Sequence, residues 1–144
     1  MLTVRHHVDL PARVEDVFSF MDEPARQTDL TPSLSHSELV ERLPNGGARA
    51  RYVYSLFGLS FRGEVVATDY KPNERIVWAL KGDLRGTIRW YFSSLNGGTR
   101  FTYAATYAVP GPSVLRPLLA PLVQRYNDRE VRRLLKALRY GFAV

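Results

Sequence analysis

Two Asn-Gly dipeptides constrain the fold of this chain more than any other feature. They lie between pairs of alternating stretches: Asn45-Gly46 between Ser35–Leu43 and Ala48–Leu56, and Asn96-Gly97 between Gly86–Leu95 and Thr99–Ala108. Asn-Gly supplies the positive φ angles of a tight turn, and alternation of apolar with polar residues is typical of half-buried strands. The sequence therefore predicts two antiparallel hairpins.

Further turn signals extend these hairpins into a sheet. Gly58 separates the second stretch from Leu59–Tyr70, and Pro72-Asn73 separates that stretch from Arg75–Leu80. The opening residues, Leu2–Asp9, also alternate, with Val4, His6 and Val8 on one side. Because consecutive strands joined by short turns pair antiparallel, we predict an antiparallel meander of six strands, which together with Leu2–Asp9 form a seven-stranded sheet.

Helical periodicity appears twice. After Pro11, the apolar residues Val14, Val17, Phe18 and Met21 predict a short helix, and Asp22–Pro32 fits one more helical turn and a loop. Near the end, Pro110-Gly111-Pro112 predicts a stop for the last strand. Proline inside a helix removes a hydrogen bond, so Pro117 and Pro121 place Ser113–Leu119 in a separate turn and the start of a long helix near Ala120.

The C-terminal helix is amphipathic and is expected to pack on the sheet. Its apolar stripe comprises Leu122, Val123, Tyr126, Val131, Leu134, Leu135, Leu138 and Phe142. No linker or repeat divides the chain, so residues 1–144 are expected to form a single domain. The predicted fold class is α+β: a curved seven-stranded antiparallel sheet around a long C-terminal helix, with two short helices between the first two strands.

Composition excludes several classes of protein. Apolar residues make up 45% and charged residues 24% of the 144 residues, a globular balance, and the absence of cysteine excludes disulfides and thiol catalysis. The first ten residues are too polar for the apolar core of a signal peptide, since they include Arg5, His6, His7 and Asp9. With no apolar stretch near the roughly 20 residues of a membrane span, a cytoplasmic protein is expected.

Alternation assigns the strands an aromatic inner face and an arginine-rich outer face. The outer arginines are Arg49, Arg51, Arg62, Arg75, Arg85, Arg89 and Arg100. A seven-stranded sheet curls, and one helix covers only part of its concave face, so the inward aromatic residues are expected to line a pocket for a hydrophobic small molecule. The alternative is ordinary core packing. The candidate ligand-binding residues are Tyr52, Tyr54, Phe61, Trp78, Trp90, Phe92, Tyr103, Tyr107 and Asn127.

Three polar side chains need separate consideration. Asn127 lies on the apolar stripe of the last helix, where its amide is expected to meet a ligand or, equally, a sheet tyrosine or ordered water. Glu130 lies at the edge of that stripe and is expected to reach outward. His6 is interpreted as a partly buried strand residue, because the sequence shows no carboxylate placed beside it.

The order of motifs resembles the SRPBCC superfamily of START-like lipid-transfer domains, polyketide cyclases and pollen-allergen-like carriers. The resemblance rests on 10-LPARVEDVF-18, on Pro72 followed by Arg75-Ile76-Val77-Trp78, on 97-GGTRF-101 and on the closing helix. It departs at Leu30-Thr31-Pro32, where many members carry a tryptophan shortly before the proline. The resemblance implies the helix-grip fold, with a cavity between sheet and helix for a lipid, a polyketide or another apolar molecule.

Three functions remain open at this point. The first is binding or transport of a hydrophobic molecule without catalysis, and the second is a cyclase or aromatase whose pocket tyrosines position a polyketide. The third is transient contact with an anionic membrane through the basic helix face, which holds Arg125, Arg129, Arg132, Arg133 and Lys136. Scattered outer arginines do not favour nucleic-acid binding. No metal-ligand spacing or phosphate loop is present, so no cofactor is expected.

Overall fold

The computed structural model describes residues 2–109 and 112–142. Within these ranges the chain forms seven strands and three α-helices, and a 3-10 turn at Pro24–Arg26 joins the first two helices. In chain order they are β1 (Leu2–Leu10), α1 (Val14–Met21), α2 (Gln27–Leu30), β2 (Leu34–Arg42), β3 (Ala48–Leu56), β4 (Leu59–Lys71), β5 (Arg75–Gly82), β6 (Gly86–Leu95), β7 (Gly98–Tyr107) and α3 (Arg116–Phe142). The predicted α+β class and element order are confirmed, and strand ends differ from the prediction by only one or two residues.

The strands form one antiparallel sheet in the order β1-β7-β6-β5-β4-β3-β2. The predicted meander from β2 to β7 is confirmed, and β1 pairs with β7, with Leu2 opposite Tyr107 and Leu10 opposite Thr99. Register shifts interrupt β2 and the pairing of β4 with β5. Such bulges bend a sheet, and the sheet of this protein is curved. At one edge α3 contacts the strand β1, and at the other edge it contacts α2, which itself packs beside β2.

Both predicted hairpins form, but with different turns. Asn96 and Gly97 have φ angles of 50° and 81°, as a tight two-residue turn requires. In the other hairpin a longer loop, residues 43–47, joins β2 to β3. Gly46 has a φ of 92° there, whereas the φ of Asn45 is not positive, and the Asn45 side chain holds the turn instead. Asn45 Oδ1 accepts from the Gly47 N–H at 2.8 Å, and Nδ2 donates to the Ala67 carbonyl at 2.9 Å.

The predicted start of the long helix was wrong by four residues. α3 begins at Arg116 and continues through Pro121. A short turn over residues 113–115, closed by the Leu115 N–H donating to the Pro112 carbonyl at 3.0 Å, leads directly into it. The Leu118 and Leu119 N–H groups both donate to the Leu115 carbonyl, so the predicted turn ends at Leu115 rather than Leu119. Pro117 lies in the first turn, where N–H groups have no helical partner anyway, and Pro121 removes one early hydrogen bond. The predicted stop at Pro110-Gly111 lies outside the described residues. No helix in the described ranges is both long and apolar enough to cross a membrane.

The packed core lies toward one end of the sheet, under α1. The Phe18 and Phe92 ring centroids are 5.0 Å apart, those of Phe92 and Phe101 are 5.1 Å apart, and Leu138 of α3 is buried in the same cluster. This cluster fills the space between sheet and helix at that end. The space toward the start of α3 is not filled in this way.

Candidate functional site

A cavity of about 190 Å³ lies between the inner face of the sheet and α3. Strands β3, β5, β6 and β7 form one wall, α3 forms the opposite wall, and residues near α2 close a side. Its lining is mainly apolar and includes Val4, Met21, Ala50, Leu56, Val65, Leu80, Ile88, Ala105, Val123, Val131 and Leu134. A mainly apolar concave space with a few polar groups is the usual form of a small-molecule site.

Seven of the nine predicted ligand-binding residues lie on the cavity wall. They are Tyr52, Tyr54, Trp78, Trp90, Tyr103, Tyr107 and Asn127. Phe61 and Phe92 do not line the cavity. Phe92 packs under α1 against Phe18. Phe61 lies opposite Tyr54 near the exposed end of the β3–β4 hairpin, where Tyr54 and its other neighbour, Leu34 of β2, line the cavity and Phe61 does not. Strand parity gave these two residues the correct face, but position along the strand decides whether a side chain reaches the cavity.

Tyr52 supports one end of the cavity. Its hydroxyl donates to the Lys81 carbonyl at 3.4 Å and accepts from the Leu84 N–H at 3.3 Å, so it fixes the loop between β5 and β6. The side chain passes over Gly63, where a Cβ would lie 2.7 Å from the tyrosine oxygen and 2.0 Å from the Lys81 carbonyl oxygen. A glycine is therefore required at this crossing.

Glu130 is a cavity residue that the sequence analysis placed wrongly. We expected it to reach outward, but its side chain lines the cavity and the residue is only 5% exposed. Glu130 Oε1 accepts from the Ser33 N–H at 3.2 Å, and the Ser33 hydroxyl bonds the Tyr126 hydroxyl. The sequence signal for this position was the spacing of Glu130 from Asn127 (three residues) and from Leu134 (four residues), since residues so spaced share a helix face.

Three tyrosines of the wall are held in the neutral form. Burial raises the pKa of Tyr54 and Tyr103 well above the usual value, and the nearby negative charge of Glu130 raises it further. Burial also raises the pKa of Tyr107, with Tyr103 and Asp128 adding to the effect. At neutral pH these hydroxyls are therefore hydrogen-bond donors rather than bases.

His6 has a carboxylate partner that its sequence context did not reveal. Its Nε2 atom lies 2.5 Å from Asp128 Oδ1, and Asp128 Oδ2 lies 3.2 Å from Arg132 Nε. The histidine is half-buried on β1, as predicted, and does not line the cavity. The arrangement joins the edge strand to α3.

Asn127 does not bond a sheet tyrosine. Its Nδ2 donates to the Val123 carbonyl, one turn earlier in α3, at 3.0 Å, while the residue itself lines the cavity. Three other buried polar atoms of the wall, namely Trp78 Nε1, Trp90 Nε1 and the Tyr107 hydroxyl oxygen, have no hydrogen-bond partner within the described residues. Buried polar groups in proteins are nearly always paired, so these three are exceptional.

The rim of the cavity carries exposed apolar side chains and one cation. Arg85, which alternation placed on the outer face, lies in the β5–β6 loop and lines the cavity edge. Leu122, predicted on the buried stripe, is exposed next to the wall residue Val123, and Phe57 of the β3–β4 turn contacts Tyr126 with ring centroids 5.5 Å apart. Adjacent residues of an α-helix point about 100° apart, so with Val123 buried against the cavity Leu122 points outward.

The sequence of the chain matches a family model over residues 1–140. That family is described as polyketide cyclase/dehydrase and lipid transport. The chain belongs to this family. The resemblance to the START-like SRPBCC superfamily is thereby confirmed. None of the curated proteins matches the chain.

Solved structures show the same fold. A protein from Thermus thermophilus is 25% identical with a TM-score of 0.84, over 96% of this chain and 94% of that one. A START superfamily protein from Mycobacterium smegmatis is 18% identical with a TM-score of 0.77, over 97% and 96%. The di-domain ARO/CYC BexL from the BE-7585A biosynthetic pathway is 21% identical with a TM-score of 0.78, over 99% of this chain and 50% of BexL.

Proposed function

We propose that this family member binds or transports a hydrophobic small molecule inside the cavity. The observation that carries the proposal is the mainly apolar cavity of about 190 Å³ between sheet and α3. An engineered apolar cavity of comparable size stays dry and takes up benzene-sized molecules. The family description, which includes lipid transport, supports the same function. A single ligand-binding domain over residues 1–144 and a cytoplasmic location belong to this proposal.

The residues proposed to contact the ligand are the seven predicted residues on the wall, together with Glu130. The aromatic rings provide apolar surface, and their polar atoms provide orientation. Phe61 and Phe92 are not included, because neither lines the cavity.

Intrinsic fluorescence offers a direct test. Both tryptophans of the chain, Trp78 and Trp90, line the cavity, so energy transfer to a neutral naphthalene fluorophore is expected on binding. Ala105→Leu fills part of the cavity and should weaken binding at least tenfold. Ala104→Leu should leave binding unchanged, because Ala104 lies on the outer face of the sheet, opposite Arg5 and Arg89, and does not line the cavity. Absence of any uptake by the wild-type protein would contradict the proposal.

A second candidate function is cyclisation of a polyketone chain, which the buried carboxylate of Glu130 favours. Glu130 would remove a proton from a carbon next to a carbonyl, the carbanion would attack a second carbonyl of the same chain, and a neutral tyrosine such as Tyr54 would protonate the new alkoxide. Proton transfer back from Glu130 would restore both groups. A 1,5-diketone tests this step, since its aldol product loses water to a cyclohexenone that absorbs in the ultraviolet. If Glu130→Gln cyclises the diketone as fast as the wild type, this candidate fails.

Transient contact with an anionic membrane is a third proposal. Leu118 and Leu122, which are 73% and 53% exposed near the start of α3, support it, since apolar side chains beside basic residues bind such surfaces. Leu118→Ser should reduce sedimentation with vesicles containing phosphatidylserine. Tyr140→Ser is the matched control, because Tyr140 is exposed at the other end of the helix. Equal sedimentation with neutral vesicles, or no effect of Leu118→Ser, would refute this contact.

A further inference from the structure

The three unpartnered polar atoms of the wall lie on adjacent strands. Trp78 belongs to β5, Trp90 to β6 and Tyr107 to β7, and the two indole ring centroids are 5.4 Å apart. Both tryptophans are 5% exposed, so water outside the protein does not reach their N–H groups. An indole N–H is a donor only, and leaving it unpaired in an apolar setting costs free energy. All three residues line the cavity, so its sheet wall contains buried donors without a hydrogen-bond partner in the described part of the chain.

The opposite wall carries a hydrogen-bond acceptor instead of donors. Glu130 of α3 presents a buried carboxylate, which accepts from the Ser33 N–H at 3.2 Å. Charge interacts strongly in a mainly apolar cavity, so this group opposes a second negative charge beside it. Arg85, the cation on the wall, lies at the edge, where it can pair with an anion only at the mouth.

From these observations, and resting on the proposed binding function, we propose that the cavity selects neutral ring compounds whose carbonyl oxygen accepts from the indole N–H groups. Trp78 and Trp90 then determine specificity: they distinguish a ketone from the hydrocarbon of the same shape. Glu130 distinguishes the ketone from a carboxylate. A plain hydrocarbon would leave the indole N–H groups unpaired, and a fatty-acid anion would meet the carboxylate.

Three bicyclic probes of similar size test this selectivity: tetralin, 1-tetralone and 2-naphthoate. One new hydrogen bond to a neutral acceptor is expected to make tetralone bind roughly threefold to tenfold more tightly than tetralin in calorimetry. Naphthoate should bind more weakly than tetralone, and Glu130→Gln should reduce that difference. The two tryptophans should give two indole N–H resonances in a proton–nitrogen NMR spectrum, and tetralone should shift at least one of them downfield whereas tetralin should not.

Trp90→Phe keeps a ring and removes the donor. It should reduce the preference for tetralone over tetralin at least threefold, with Trp78→Phe as the parallel variant. Tyr91→Phe is the control, since it removes a hydroxyl from the next residue of β6, which does not line the cavity. If either tryptophan variant unfolds, the indole N–H shifts of the wild-type protein decide whether the tetralone carbonyl accepts from an indole.

The outcomes separate this inference from the binding function. Equal affinity for tetralin and tetralone without an indole shift, or tightest binding of naphthoate, would overturn the selectivity while leaving a binding cavity. Failure of all three probes to bind would contradict the binding function itself.

Discussion

Replacing Ala105 with leucine is expected to stabilise the protein, although this residue is buried. Ala105 is 4% exposed, lies between Val4 and Ile88 on neighbouring strands, and lines the cavity together with both of them. Leucine adds three carbon atoms, whose burial contributes about 2.4 kcal/mol at roughly 0.8 kcal/mol per carbon. Fixing the longer side chain costs about 0.5–1 kcal/mol. We therefore expect a net gain of about 1.4–1.9 kcal/mol in the free energy of unfolding.

Ala67→Leu is the matched control, with the opposite sign expected. Ala67 is a buried alanine of the same sheet face, opposite Trp78 in β5, but it lies in the packed core. A Cβ placed on Gly47 would lie 2.5 Å from the Ala67 Cβ, so there is little free space on that side. Extra atoms in a filled core cost about 1–3 kcal/mol.

Thermal and urea unfolding measure both variants. At about 3 °C per kcal/mol for a chain of this size, Ala105→Leu should raise Tm by roughly 5 °C, and Ala67→Leu should lower it. Ala105→Leu should also compete with the fluorophore for space and weaken its binding. The reasoning would be refuted if the two substitutions destabilised the protein equally, because the space beside Ala105 would then be filled.

Three further predictions concern the support of the site. Gly63→Ala should cost at least 1–3 kcal/mol in urea unfolding, since its Cβ would overlap the Lys81 carbonyl, and an unchanged midpoint would contradict this crossing. The Tyr70 hydroxyl donates to Asp22 Oδ2 at 2.7 Å, and burial together with this hydrogen bond raises the pKa of Tyr70 to about 12. The free energy of unfolding should therefore fall as the pH rises from 10 to 12, because the unfolded chain ionises first, and Tyr70→Phe should reduce this slope. A double-mutant cycle of His6→Ala and Asp128→Ala should give a coupling of about 0.5–1 kcal/mol, and a value of zero would show that the pair does not hold β1 to α3.

Local patterns predicted most of the fold because they depend on near neighbours in the sequence. The Asn96-Gly97 turn, the alternation along β3 to β7 and the periodicity of α1 were all read correctly. The start of α3 was not, because the cost assigned to Pro117 and Pro121 depends on their place in the helix. One lies in the first turn and the other removes a single early hydrogen bond.

Local patterns also predicted part of the candidate site and missed the rest. Alternation and helical spacing placed seven aromatic and amide side chains on the correct face, and the structure brings all seven to one cavity. Neither pattern states how far along a strand the cavity extends, so Phe92 was assigned to the site although α1 covers it. Glu130 was assigned to solvent because it lies at the edge of the apolar stripe, although its spacing from Asn127 and Leu134 was compatible with the inner face. The structure buries it and pairs its carboxylate with the Ser33 N–H, 97 residues away in sequence.

By itself, the sequence determined which residues turn, which alternate and which face inward, because those properties follow from backbone geometry and side-chain period. Tertiary structure alone decided the pairing of β1 with β7, the burial of Glu130, the contact of His6 with Asp128 and the unpaired indole N–H groups. Each of these features depends on contacts between residues that are far apart in the sequence and meet across a curved sheet. A local sequence pattern carries no information about such contacts.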